Sequence, residues 1–276
     1  MTRIAICAPA TPITRDHARA LEEVVAQSFP DHSVTFHEQC FAVDGHFAGP
    51  DAMRLSALLD CANDPGVDAV WFAKGGYGSN RIAEKAVAGM NVAARSKSFV
   101  GFSDMGYLLA GLYKAGIGQS VHAPMPVSAL SETGRESVAR VLRWFGGDQE
   151  GLEPSLDGRT PTVAFNLMTL AMLCGTGLMP DLSGHVVMVE EVSEHLYAVD
   201  RLFFHITQHL GKIAGLRLGR ISAVPENDRP FGADAEGIAR DWCARTGIPY
   251  LGRADIGHDA ANRIVPFGLA CRGIAS

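Results

Sequence analysis

Two periods alternate along the first half of the chain. Arg3-Ile-Ala-Ile-Cys-Ala8 is a short, nearly unbroken apolar run closed by Pro9, and it predicts a strand covered on both faces. Residues 17–28 switch to helical spacing, with Leu21, Val24 and Val25 on one side. Ser33-Val-Thr-Phe36 is a second β-type run. After Pro50-Asp51, Leu55, Leu58, Leu59 and Ala62 recur at helical spacing until Pro65-Gly66 ends the pattern. Val67 to Ala73 predicts another strand, Gly75 to Gly78 a tight loop, and 80–89 a helix. Ser98–Gly101 and 106–114 repeat the alternation of strand and helix. Such alternation predicts an α/β chain with a doubly wound parallel sheet in residues 1–125. Ligands of these sheets sit beyond the carboxyl ends of the strands, and the loops at 9–12, 74–79 and 102–106 all leave such ends.

The pattern loosens over 126–163, where Pro126, Pro154, Pro161 and Gly146-Gly147 surround a helix at 134–144. This stretch reads as an interdomain connection. A second region, 164–276, carries a helix at 166–174, a strongly apolar strand at His185–Val189 and a helix at 200–211. A strand near 215–222, a helix at 233–246 and a last strand near 262–267 follow.

Composition narrows the function classes. With 47% hydrophobic and 20% charged residues the 276-residue chain has an ordinary globular balance. Its net charge of −6 gives no electrostatic footprint for nucleic acid. No apolar run approaches membrane-crossing length, and the apolar stretch near Met1 is too short for a signal peptide. Cys7, Cys40, Cys61, Cys174, Cys243 and Cys271 are scattered singly, mostly in apolar runs, and read as buried reduced thiols of a cytoplasmic protein. Thirty glycines are more than the usual share, which suits many turns or a backbone that approaches a ligand closely.

Four segments could carry chemistry. In Gly101-Phe-Ser-Asp-Met-Gly106 a serine stands where a buried strand turns into a helix, as at a nucleophile elbow. The second glycine of G-x-S-x-G is displaced by one, and from this segment alone Ser103 reads rather as a helix N-cap, which is common at such positions. Lys74-Gly-Gly-Tyr-Gly-Ser-Asn80 fits neither of the common phosphate-binding glycine patterns. It is either a structural turn or a cradle for an oxyanion. Glu190-Glu191 end the apolar strand with side chains on opposite faces, so at most one faces a cleft; Glu191 and Glu194 read as a solvated acidic turn. His258, between Gly257 and a polar loop, is a candidate base among ten histidines. The histidine spacings and dispersed cysteines are read as showing no metal set, and no cofactor is expected. Serine, glutamate and histidine in that order, with a glycine loop, are the parts of a serine hydrolase.

These segments also carry a resemblance. Phe47–Arg54, Asn63–Gly78, Val100–Asp104 and His122-Ala-Pro-Met125 resemble, in order, the N-terminal blocks of the LD-carboxypeptidase family of serine peptidases, which also holds the microcin C self-immunity peptidases. Asn166-Leu, Gly175-Thr, Val187–Glu191, Tyr197–Arg201, Gly257-His258 and Pro266-Phe-Gly268 resemble its C-terminal blocks. The resemblance implies Ser103 as nucleophile, His258 as general base and Glu190 as the carboxylate that orients it. It implies an oxyanion hole from the backbone amides of Gly76 and Asp104. It further implies a flavodoxin-like N-terminal domain, a β-rich α+β C-terminal domain with the site in the cleft between them, and a homodimer. The implied substrate is a murein peptide whose terminal carboxylate needs a cation, with Lys74 and Arg81 as candidates. Lys74, Phe102, Met105-Gly106, Ala123 and Phe165 depart from the family pattern beside the site, and 126–165 is short. An aminoacyl-nucleotide substrate would use the same triad and would want an aromatic platform, for which Trp242 is the sole C-terminal tryptophan. A catalytically silent binding module is the third reading.

Overall fold

The computed structural model describes residues 1–269. Eighteen strands and α-helices follow in chain order: β1 (Thr2–Cys7), α1 (Arg15–Ser28), β2 (His32–Phe36), α2 (Asp51–Asn63), β3 (Ala69–Phe72), α3 (Ala83–Gly89), β4 (Ser98–Gly101), α4 (Gly106–Ala115), β5 (Gln119–His122), α5 (Glu132–Phe145), β6 (Thr162–Asn166), α6 (Leu167–Leu173), β7 (Val186–Val192), α7 (Leu196–His209), β8 (Gly215–Ser222), α8 (Ala235–Thr246), β9 (Tyr250–Arg253) and β10 (Val265–Pro266).

The first sheet has the order β10-β5-β4-β3-β1-β2. β1 to β5 are parallel and β10 joins the β5 edge antiparallel. The parallel part has the flavodoxin-like order 2-1-3-4-5. Its central strands are apolar on both sides because both faces are covered: β3 and the last three residues of β4 are buried throughout. Leu21 and Val25 of α1 and Val138, Val141 and Leu142 of α5 cover one face. Leu58 of α2, Ala83 and Ala86 of α3 and Leu108, Leu109 and Leu112 of α4 cover the other. Each leucine buried in this way contributes about 1.5–3 kcal/mol over leaving it in water.

The second sheet, β6-β7-β8-β9, is parallel as well. The unit is therefore built of β-strands linked by crossover helices. Its strand order follows the chain, so α6, α7 and α8 share one face. Leu167, Leu170, Phe203, Ile206 and Ile238 from those helices belong to the same continuous core as α4.

One segment fastens the two sheets. Val265 and Pro266 pair with His122 and Val121 of β5, while Gly268 exchanges both backbone hydrogen bonds with Thr162 of β6 at 2.8 and 2.9 Å. The expected last strand thus shrinks to two residues and belongs to the first sheet. α4 and α6 meet just as closely. A Cβ on Gly106 would lie 2.7 Å from Thr169 Cγ2, so this glycine is required by helix contact. No described helix is long and apolar enough to cross a membrane. Cys7, Cys40, Cys61 and Cys243 are buried free thiols and Cys174 is a half-buried one; Cys271 lies outside the described residues.

Gly106→Val keeps the helical backbone but forces α4 and α6 apart. Its denaturation midpoint should fall by the equivalent of roughly 1–3 kcal/mol; an unchanged midpoint would contradict the close packing.

Candidate active site

Ser103 begins a short 3-10 turn, Ser103–Met105, that runs straight into α4. Its φ is 61°, a left-handed conformation that a non-glycine residue adopts at a cost of about 1–3 kcal/mol. The turn throws the hydroxyl away from β4, over the glycine loop after β3. Close approach there demands glycine: a Cβ on Gly75 would lie 3.1 Å from Ser103 Cβ, and one on Gly76, at φ 101°, would lie 2.5 Å from Thr11 Cγ2.

His258 comes from the loop after β9 and reaches the hydroxyl from the second unit. Its Nε2 is 3.0 Å from Ser103 Oγ, and its Nδ1 is 2.5 Å from Glu190 Oε2. The carboxylate accepts, so Nδ1 carries the proton and Nε2 is left to accept from the serine. Glu190 lies near the end of β7 and is fully buried. Burial pulls the His258 pKa down, but the hydrogen bond and charge of Glu190, helped by Glu191 and Asp259, more than offset it, and the net shift is upward. Burial likewise raises Glu190, with His258 acting against it.

The loop is tied to the elbow. Asp104 is buried and accepts from Gly78 N at 3.3 Å and Ser79 N at 2.9 Å, while its carbonyl accepts from Ser79 Oγ at 2.6 Å. Burial raises its pKa despite these donors. Thr11 Oγ1 donates to Gly75 O at 2.6 Å. The wholly buried Arg54 donates to Pro9 O and, at 2.9 Å, to Gly78 O. Among the described residues, the amides of Gly76 and Asp104 donate to no loop or side-chain acceptor.

Comparison with known proteins gives the family of the chain. The family model for the LD-carboxypeptidase N-terminal domain matches residues 4–123, and that for its C-terminal domain matches 159–272. The chain belongs to the LD-carboxypeptidase family. It is thus a serine carboxypeptidase, a hydrolase. Over 96% of its length it is 26% identical to a murein tetrapeptide carboxypeptidase of Pseudomonas aeruginosa, covering 91% of that protein. It is 31% identical to a Synechocystis protein named as a carboxypeptidase, over 81% of this chain and 75% of that one. The crystal structure of muramoyltetrapeptide carboxypeptidase from Oxalobacter formigenes superposes with a TM-score of 0.78 at 26% identity, covering 96% of this chain and 93% of that one. The microcin C7 self immunity protein MccF shares the fold, with a TM-score of 0.80 at 16% identity over 97% and 91% of the two chains.

Within this LD-carboxypeptidase several supporting residues go beyond the expected set. Glu191 is not a solvated turn residue. It is buried, accepts from Asn166 Nδ2 and Val192 N, and caps the head of α6 through Met168 N, each at 2.8 Å. A register shift on the β8 side falls between Val189 and Glu191, beside the two buried carboxylates. Phe102 packs its ring 4.8 Å from His258 and 5.5 Å from the buried His122. His122, pushed down to about 4 by burial, is neutral and donates to Asn262 Oδ1 at 3.1 Å; the same oxygen accepts Gly257 N at 3.1 Å. On the opposite side, Arg220 of β8 grips Asp259 with two nitrogens at 2.5 and 2.9 Å and Asp255 with a third at 2.5 Å. The His258 loop is thereby clamped at both flanks. Most of these links join residues far apart in sequence, so no local spacing signals them.

The two candidate cations differ. Arg81 is half exposed, holds Asp51 at 3.0 Å and lies over the Phe47 ring. Lys74 is half-buried and has no ion pair among the described residues; after burial, its charge is the next cause pushing the His17 imidazole down. A pocket of about 170 Å³ opens beside His258, between Phe102, Pro124 and the head of α5.

Arg220→Met would leave Asp259 without its countercharge beside His258, while Asp255 keeps Arg263 at 3.2 Å. The kcat should fall by up to about a hundredfold with little change in KM, through misplacement of the imidazole. The acid limb of the rate profile should move to higher pH. A loss in KM alone, or an unmoved limb, would mean that Arg220 does not position His258.

Proposed function

We propose that the protein hydrolyses the L-to-D peptide bond of murein tetrapeptides and releases the terminal D-alanine, as in peptidoglycan recycling. The observation that carries the reading is the hydrogen-bonded series from Ser103 through His258 to Glu190 at the head of α4. In this mechanism His258 Nε2 takes the hydroxyl proton as Ser103 Oγ attacks the carbonyl carbon. The oxyanion accepts hydrogen bonds from the Gly76 and Asp104 amides, each such donor being worth about 3–4 kcal/mol in the transition state. His258 then gives its proton to the departing amine of the D-amino acid. Water, deprotonated by the same nitrogen, attacks the acyl-enzyme and frees Ser103. Glu190 holds the imidazole in the required tautomer throughout. Lys74 is the better candidate for the substrate's terminal carboxylate, because Arg81 is already engaged by Asp51. The scattered free thiols suit a reducing compartment, so this reading takes the enzyme to be cytoplasmic. The homodimer is carried over from the family resemblance.

Support for a murein substrate comes from the names of the relatives in the Pseudomonas and Oxalobacter comparisons. For the aminoacyl-nucleotide alternative the expected platform is Trp242, which donates to Asp200 Oδ1 at 2.9 Å and packs on Phe204 between α7 and α8.

Mass spectrometry of murein tri-, tetra- and pentapeptides after incubation should show loss of one D-alanine from the tetrapeptide alone, and none with Ser103→Ala. Cleavage of an aminoacyl nucleotide but of no murein peptide would transfer the reading to the alternative, and cleavage of neither would favour a silent binding module.

The pH profile has a defined sign. His258 works as a base only when neutral, so activity is lost as pH falls through a pKa lying above the ordinary 6.5. Glu190→Gln removes the charge that raises this pKa. The acid limb should shift to lower pH while kcat drops about a thousandfold or more; an unshifted limb would separate Glu190 from the titrating base.

A further inference from the structure

A second cluster lies at the other end of α6 from its Glu191 cap, roughly 10 Å along the helix. His205 and His209 stand four residues apart on α7, so both project from the same face. This His205-Ile-Thr-Gln-His209 spacing corrects the expectation that the histidines show no metal set. Cys174, which closes α6, comes against them. One ligand atom from each of the three residues lies within 4.8 Å of the others, and the two imidazole rings are 4.4 Å apart.

The tautomer of His209 is fixed by its surroundings. Its Nδ1 lies 2.9 Å from the carbonyl oxygen of His205, which can only accept. Nδ1 therefore carries the proton, and Nε2 keeps its lone pair for another partner. Metal-bound histidines are oriented in this manner, by donation from the second ring nitrogen to a carbonyl. The Cys174 thiol makes a long contact of 3.4 Å to Leu170 O, which it can give up. Cys174 and His205 are half-buried and His209 is exposed, so an ion can enter from solvent.

We propose that Cys174, His205 and His209 form a Zn²⁺ site, with water as the fourth ligand. One thiolate and two neutral imidazoles are a donor set that tetrahedral zinc accepts. As the Zn–S bond forms, the thiol proton leaves to solvent. Ordinary zinc–ligand lengths place the donor atoms about 3.3–3.6 Å apart, so side-chain movement on the order of 1 Å closes the site. The ion staples the end of α6 to α7. None of its ligands belongs to the Ser103 site, so the proposal stands independently of the peptidase mechanism.

Titration of untagged, metal-stripped protein with Co²⁺ reads the site directly. One equivalent should produce tetrahedral d–d absorption and a thiolate-to-cobalt charge-transfer band, both displaced by one equivalent of Zn²⁺. Cys174→Ser should abolish the charge-transfer band, and His205→Ala or His209→Ala should weaken binding at least about tenfold, as loss of a ligand must exceed loss of a ligand's supporting partner. Circular dichroism identical to that of the parent protein shows each variant folded. Absence of a thiolate band in the parent protein at one equivalent, or its survival in Cys174→Ser, overturns the site.

Discussion

Everything at the candidate site depends on one contact of 3.0 Å, between Ser103 Oγ on the first sheet and His258 Nε2 from beyond the second. The residues are 155 positions apart. A shift of about 1 Å between the units would separate donor from acceptor and cost on the order of a hundredfold in rate. The fold answers this demand with a shared core, in which Leu108 and Leu109 of α4 pack in the same cluster as Phe165 and Leu170 of the second unit. It adds the 265–268 segment, hydrogen-bonded to both sheets. Thr169 of α6 even donates to the carbonyl of Ser103, at 3.4 Å.

One of the three left-handed non-glycine residues among the described residues stands where the chemistry is proposed. The left-handed Ser103 persists because its neighbours fix it: Gly101 lets β4 pass within reach of Phe72, and Asp104 holds the glycine loop against the turn. On the other side His258 is bracketed by Arg220 below and Asn262 beside it, with Phe102 against its ring. Such a loop has little freedom to spend when the imidazole must hand its proton back.

Much of this was legible in the sequence, for physical reasons that differ by residue. β1 and β4 read correctly because strands covered on both faces are unbroken apolar runs, and Ser103 was visible because it interrupts that run before a helix. β5 escaped the pattern: Gln119-Ser-Val-His122 looks polar, yet Ser120 and His122 are buried, satisfied by Leu109 O and Asn262. β6 escapes the reading, which runs the connection to 163 and begins a helix at 166, because Asn166 both ends the strand and caps α6. Glu191 misled for the same reason: a carboxylate that caps a distant helix looks, along the chain, like a solvated one. Arg220 and Phe102 act through partners far away in sequence, and Asn262 joins the near Gly257 to the distant His122, so periodicity carries no signal for them.

The measurement that bears most directly on the Ser103–His258 contact is covalent labelling with a serine-directed fluorophosphonate, read by intact mass and peptide mapping. A hydroxyl activated by a positioned imidazole should take up one phosphonyl group, on Ser103, and His258→Gln should suppress the reaction while the protein stays folded. No adduct, an adduct on another residue, or labelling of Ser103 that persists at full rate in His258→Gln would contradict the account.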